Sequence, residues 1–257
     1  MSLNQTVKAF LVIYFMAMVV ELIIGIWQSK KYYDTKDTLV NLSLGTMAVG
    51  LRFLTKGIWL ALWLYLYQFA PYQISESLVS WVALFLVNEF VYYWFHRLSH
   101  ENKYLWAIHV NHHSSEMMNF SNAARIPFLN IFLHNIFWIP LLFLGFSPGM
   151  IFTVETVSFL FAFINHTQVI GKLGFIGLVF NTPSHHRVHH ASNPEYLNKN
   201  FGNVLIIFDR IFGTFIDEDT NKQTRYGLSE NIDTHNLIQV IFHEWFVLLK
   251  TKHKAPK

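Results

Sequence analysis

The chain has no cysteine, and that single absence excludes disulfides, thiolate zinc sites, iron–sulfur clusters and thiolate-ligated haem. Charge is scarce as well. Only 14% of the 257 residues are Asp, Glu, Lys or Arg, where an ordinary soluble domain carries about 25%. There is no low-complexity tract, linker or internal repeat, so one domain over residues 1–257 is expected. In place of charge the chain has 53% hydrophobic and 17% aromatic residues, with a mean hydropathy of +0.30. This is too apolar for a disordered chain or a typical soluble fold. An all-α integral membrane protein is predicted.

Five stretches read as transmembrane helices: Val7 to Gln28, Phe53 to Phe69, Ser75 to Phe95, Phe128 to Phe146 and Met150 to Ile170. Each approaches the roughly 20 helical residues that a hydrocarbon core requires. The first reads as a span rather than a cleavable signal, because its apolar run is long and no small-residue cleavage site precedes Lys30 and Lys31. Thr38 to Leu51 is expected as a separate helix at the interface, with Arg52 and Lys56 snorkelling to the near surface. Cations fix the orientation, since short cytoplasmic loops are enriched in them. With the N-terminus outside, Lys8 alone is outer, while Lys30, Lys31, Lys36, Arg52, Lys56, Arg97, Lys103, Arg125 and every cation after Gly171 are inner. The net charge of +3 is thus topology, and no basic groove suggests nucleic acid. In the tail, 216–257, Leu237, Val240, Ile241 and Trp245 suggest a helix lying at the interface.

Against this background fourteen histidines stand out. His96 and His100 are one helical turn apart; His109, His112 and His113 are at i, i+3 and i+4, and His186, His189 and His190 repeat that spacing. All fall on the predicted inner side, and His166, near the end of the last span, can reach the same place. Nine imidazoles gathered at one membrane face suit two metal ions rather than one. Imidazole alone does not choose among zinc, copper, iron and nickel. A haem has fewer axial positions than these rings would fill, and a transporter would hold its ligands near the bilayer midplane. His134, inside the fourth span, and His235, His243 and His253, scattered in the tail, are expected to be structural. His185 is ambiguous, since adjacent helical side chains diverge by about 100°.

Several carboxylates and amides near the boxes invite a role. Glu89 precedes His96 by two helical turns, and a carboxylate within a membrane is a functional candidate; a structural bond to a neighbouring helix is the alternative. Glu21 and Glu155 have weaker positions. Glu101 and Glu116 flank two boxes and could accept the spare N–H of a ligand ring, as could Asn119, Asn122 and Asn165. Asp209 is a candidate for holding the strip that follows the last box.

The runs WFHRLSHE, HVNHHSSE, NHTQVI and NTPSHHRVHH, followed by NKNFGNVLIIFDRIFGTF, resemble the fatty acid hydroxylase and sterol desaturase superfamily of membrane non-haem di-iron enzymes, and within it the ether-lipid-cleaving members. The resemblance covers residues 81–215. It implies a histidine-rich dimetal domain at the cytoplasmic face, in the inner membrane of a bacterium or the endoplasmic reticulum of a eukaryote. Two irons would be bound by His96, His100, His109, His112, His113, His186, His189 and His190, with His166 as a further ligand and zinc possible in purified protein. Many relatives carry a second HxxxH box; here Ile170 follows His166 at that spacing, so the box is half present. The implied activity is O2-dependent hydroxylation of a lipid C–H bond, with ether cleavage as one form of it. Glu89 and Glu101, read from their own positions rather than from the resemblance, are the candidates to assist. Electrons would come from an external donor, a reduced pterin or a ferredoxin- or cytochrome-type partner, because no electron-transfer domain is fused to the chain. A desaturase using the same site and a non-catalytic zinc- or metal-binding membrane protein are the competing functions.

Overall fold

The computed structural model describes residues 3–250 apart from 128 and 229–231, with side chains from residue 11. Within them the protein is helical, without a strand and with two isolated bridges. The long helices come first: α1 (Leu3–Trp27), α2 (Thr35–Tyr67) and α3 (Leu78–Glu101). Two helices, α2 and α3, are long and apolar enough to cross a membrane, and the other apolar stretches are shorter. Outward from the bundle face Ile13, Ile26, Leu54, Ile58, Leu78 and Val79, all exposed, whereas Trp63, Leu84, Trp138 and Ile151 are sealed inside. Helices that are apolar on both their buried and their exposed sides suit a lipid surround, because contiguous apolar surface of this extent is rare against water.

Helix α2 departs from expectation. The sequence suggests an interface helix ending near Leu51 and a separate span, but residues 35–67 form one uninterrupted helix. No proline falls inside it, and Arg52 and Lys56 lie on its exposed side, so nothing breaks the backbone ladder. Its 33 residues extend about 50 Å, more than the roughly 30 Å of a hydrocarbon core. The first half is free to pack elsewhere: Asp37, Asn41, Leu44 and Ala48 are buried, and this half meets the 3₁₀ turn Phe120–Ala124, where Asn41 donates to Ser121 Oγ at 2.9 Å. That approach requires Gly45, where a Cβ would stand 2.8 Å from the Ala124 carbonyl oxygen.

The expected fourth span is also different. It divides at Trp138 into α5 (Asn130–Phe137) and α6 (Ile139–Phe143), and Phe128 lies outside the described residues. Pro140 explains the break, having no N–H to give and a ring that collides with the preceding turn. The last apolar helix, α7, runs Pro148–Ile164, so His166 lies just beyond it. The tail helix α10 (Leu237–Lys250) does not merely rest at an interface: Val240 and Ile241 pack on Val40 and Leu44 of α2, and Trp106 Nε1 donates to Glu244 at 3.3 Å.

Three short helices complete the polar end. Asn102 terminates α3 and caps α4 (Lys103–His113), accepting from the amides of Tyr104 and Leu105. Pro183 starts α8 (Pro183–His189), and α9 is Ile207–Ile211.

Candidate metal centre

Nine histidines gather into two groups. His96, His100, His109, His113 and His189 form one, and His112, His166, His186 and His190 the other; within each, one ring nitrogen per residue lies within 4.8 Å of all the rest. The boxes do not each serve one group. From α4, His109 and His113 enter the first group while His112 enters the second; from α8, His186 and His190 enter the second while His189 enters the first. Helix geometry explains the division. Residues at i and i+4 differ by about 40° around the axis, whereas i+3 lies about 60° to the other side. Each three-histidine helix therefore aims a pair at one centre and a single ring at the other. Between the groups, His113 and His190 stack at 4.4 Å, and within the second His112 and His190 meet edge-on at 4.5 Å.

The outer ring nitrogens fix the inner ones. His96 Nδ1 is 2.8 Å from the Phe201 carbonyl, His189 Nδ1 3.0 Å from that of Lys199, His112 Nδ1 3.1 Å from that of Arg125 and His166 Nδ1 3.1 Å from that of Ala162. A carbonyl only accepts, so Nδ1 carries the hydrogen, and in a neutral ring Nε2 is then a bare lone pair. Burial keeps the rings of α4 and α8 neutral. It holds His109, His113, His186, His189 and His190 well below the ordinary histidine range and brings His112 down to about 4.

Nε2 of His96, His112, His166 and His189 therefore has no hydrogen of its own to give. His112 and His166 present Nε2 lone pairs to each other at 3.4 Å, and His186 Nε2 is 2.9 Å from that of His166. In the first group Nε2 of His96, His100 and His189 is buried without a hydrogen-bond partner. Converging lone pairs repel unless a cation sits among them. Ligand nitrogens on one ion at about 2.1 Å are themselves separated by roughly 3.0–3.4 Å, so the observed spacings suit a metal. The residues present fit two ions held by imidazole.

The polar groups around the centre differ from those proposed above. Glu101 is on the surface, paired with Arg97 at 2.8 Å, and Glu116 is exposed. Asn119 and Asn122 bond backbone atoms of the 117–121 turn and Tyr32. Glu89 is buried, but its carboxylate accepts from the amides of Val204 and Leu205 at 2.8 and 3.0 Å and from Ser158 at 3.1 Å. Asp209 accepts from the amides of Phe201 and Gly202, both at 2.7 Å, and from Thr214. These two carboxylates grip residues 201–205, and the Phe201 carbonyl of that loop orients His96. Glu21 likewise joins Tyr33, the Phe120 amide and Thr167.

His134 faces Glu155 across α5 and α7 at 3.5 Å and stacks on Trp138, away from both groups. His134→Ala should therefore retain all the metal of the parent protein, as read by elemental analysis after purification; loss as complete as for His112→Ala would remove the distinction. His243 donates within α10, His235 is half-exposed beside Asp34 and Asp233, and His253 lies outside the described residues. His185 belongs to neither group.

Residues 81–214, which carry all nine histidines, match the fatty acid hydroxylase family profile. The chain belongs to the fatty acid hydroxylase family. Among relatives, it is 38% identical to the alkylglycerol monooxygenase of Homo sapiens over 243 residues, which are 93% of this chain and 54% of that protein. The same enzyme of Xenopus tropicalis is 34% identical over 95% of this chain and 55% of its own length. An ornithine lipid hydroxylase of Rhizobium tropici is 31% identical over 60% of this chain and 47% of its own. The chain spans about half the length of these relatives. No solved structure matches it.

In this fatty acid hydroxylase fold, two buried arginines lie outside the residues marked by sequence. Arg125, fully buried, bonds Asp37 at 3.1 Å, Asn41 at 2.7 Å and the Asn111 carbonyl at 2.9 Å, fixing the end of α4 that carries His112. Burial pulls its pKa down to about 10, so the guanidinium stays charged at neutral pH. Arg187, inside the last box, makes a bidentate pair with Glu218 at 2.8 and 2.6 Å and donates to the carbonyls of Thr167 and Ile170. In the sequence both counted only as cations of the inner side; in the structure both are interior. The available signal was position: an arginine within or between histidine boxes is poorly placed to serve only as a loop charge.

Proposed function

We propose that the protein is a membrane-embedded di-iron oxygenase that hydroxylates a lipid, with an ether lipid of the alkylglycerol type as substrate. The observation that carries this reading is the pair of interleaved imidazole groups whose inner nitrogens face one another as bare lone pairs. His96, His100, His109, His113 and His189 would hold one iron, and His112, His166, His186 and His190 the other. When bound, the irons supply activation of O2 and removal of hydrogen from an unactivated C–H bond. The chain's own residues set the ligand rings: carbonyls of Phe201, Lys199, Arg125 and Ala162 fix the tautomers, while Glu89 and Asp209 hold the loop behind His96. The alkyl chain would remain among the apolar helices while its reactive end meets the polar domain. Five passes with the histidines on the cytoplasmic side complete the proposal, with an external electron donor, either a reduced pterin or a ferredoxin- or cytochrome-type protein.

Oxidation at the carbon bearing an ether oxygen inserts one atom of O2 and sends the other to water, using two electrons and two protons from the donor. The resulting hemiacetal separates into a fatty aldehyde and glycerol. Purified protein loaded anaerobically with ferrous iron and given a reductant, O2 and an alkylglycerol should release that aldehyde, and His189→Ala should not. Two bound irons with no O2-dependent change in any lipid offered would overturn the oxygenase assignment.

A further inference from the structure

His185 leaves a question that the two metal groups do not absorb. It is 4% exposed, its Nδ1 has no partner, and it lines a cleft of about 240 Å³ with Lys172, Thr182, Ser184, Arg210 and Asp217. The cleft is a built feature. Arg210 lies over the Phe215 ring at 3.7 Å and gives one N–H to the Gly177 carbonyl at 3.0 Å. Its remaining donors face no protein acceptor among the described residues. The Phe215 ring also meets His185 edge-on at 5.3 Å. Gly177 lies against the imidazole so closely that a Cβ would stand 3.1 Å from His185 Cε1. One carboxylate shares the site: Asp217 pairs with Lys172 at 3.2 Å. An anion would thus meet Arg210 fully and Lys172 in competition.

The rim of this polar cleft is the opposite in character. Leu173 and Leu178, exposed, line its mouth, and Phe175, Ile211 and Phe212 stand exposed on the adjoining segments. A polar hollow with cationic donors, ringed by exposed apolar side chains, matches an amphiphile whose anionic end is small and whose remainder is apolar. Thr182 and Ser184 bond each other at 3.1 Å and leave one hydroxyl hydrogen between them; with arginine, lysine and imidazole the donors still exceed what a single carboxylate takes, and they suit the several oxygens of a phosphate. We propose that this cleft binds the phosphate-bearing head group of a membrane lipid. His185 and His186 are adjacent on α8 and diverge by about 100° around its axis, so the cleft and the four-histidine group are reached from different sides of one helix. For a substrate lipid, that adjacency would bring the carbons next to the head group toward the centre. The site itself stands on the cleft; only the idea that its occupant is also the substrate rests on the oxygenase reading.

The test is binding, measured with purified metal-loaded protein in neutral detergent. A monoalkyl glycerol phosphate should bind about tenfold more tightly than the same monoalkyl glycerol without phosphate, the size expected of charge-assisted hydrogen bonds. Arg210→Gln should abolish that difference and leave affinity for the phosphate-free lipid unchanged. Lys172→Gln, also at an exposed position, should reduce it partly. Inorganic phosphate should compete only weakly. Equal affinity for the two lipids, or a preference that survives in Arg210→Gln, overturns the site; inorganic phosphate binding as tightly as the lipid overturns the lipid assignment. Neither O2 nor turnover enters these measurements. A protein that passes them yet oxidises no lipid refutes the proposed function alone, and one that oxidises lipids without distinguishing the head group refutes the cleft alone.

Discussion

Replacing His112 and His113 together should strip the protein of both metal ions, whereas replacing His112 and His186 together should remove only one. The two residues of the first pair are neighbours in sequence but belong to different groups; those of the second pair are distant in sequence but share a group. Each single change should leave about one ion per chain by elemental analysis, so the effect of a second change depends on which centre it strikes. Combined changes at one centre are non-additive, as expected for residues that act as a unit. The helices should persist in detergent by circular dichroism, because apolar packing between α2, α3, α6 and α7 does not pass through the centre. If the His112 and His186 double variant loses both ions while its helix content is intact, the division into five and four ligands is wrong.

Glu218→Ala should be among the most destabilising single changes outside the histidines. It leaves the Arg187 guanidinium buried beside the carbonyls of Thr167 and Ile170 without its counter-charge. Breaking a buried pair in this way typically costs about 3–5 kcal/mol, or roughly 10 °C in Tm for a domain of this size. The same pair ties α8 to the turn after His166, so the ion of the four-histidine group should also be the first lost to a chelator. Lys222→Ala, which breaks the exposed pair with Glu195, should leave both readings unchanged. Comparable melting of the two variants would show that the buried pair is dispensable.

The ligands themselves were legible in sequence because helical periodicity is local. Spacings of three and four residues bring rings to one side of any helix that forms, and the paucity of other polar residues made them conspicuous. How α4 and α8 divide their rings between centres was not legible, since it depends on the mutual rotation of helices 70 residues apart in chain order. Nor were the groups behind the rings. Carboxylates beside the boxes were the natural candidates, but backbone carbonyls of Phe201, Lys199 and Arg125 take that part, and a carbonyl leaves no trace in residue type. The pairing of Arg125 was not legible for a related reason: its partner Asp37 lies 88 residues earlier, and local composition offers only another cation. The uninterrupted α2 shows the limit of reading charge as a boundary. Arg52 and Lys56 lie within a helix that is simply longer than the hydrocarbon.

The unequal sharing of ligands along the chain has a consequence for truncation. By the end of α4 a growing polypeptide already contains four of the five rings of the first group, His96, His100, His109 and His113, but only His112 of the second. The other three rings of the second group, His166, His186 and His190, follow more than fifty residues later, together with His189. Along the chain the first set is therefore nearly complete before the second has begun, and α8 both completes the first and supplies half of the second. A chain that ends before α8 would carry most of one ligand set and one ring of the other, so α8 is the segment on which both sets depend.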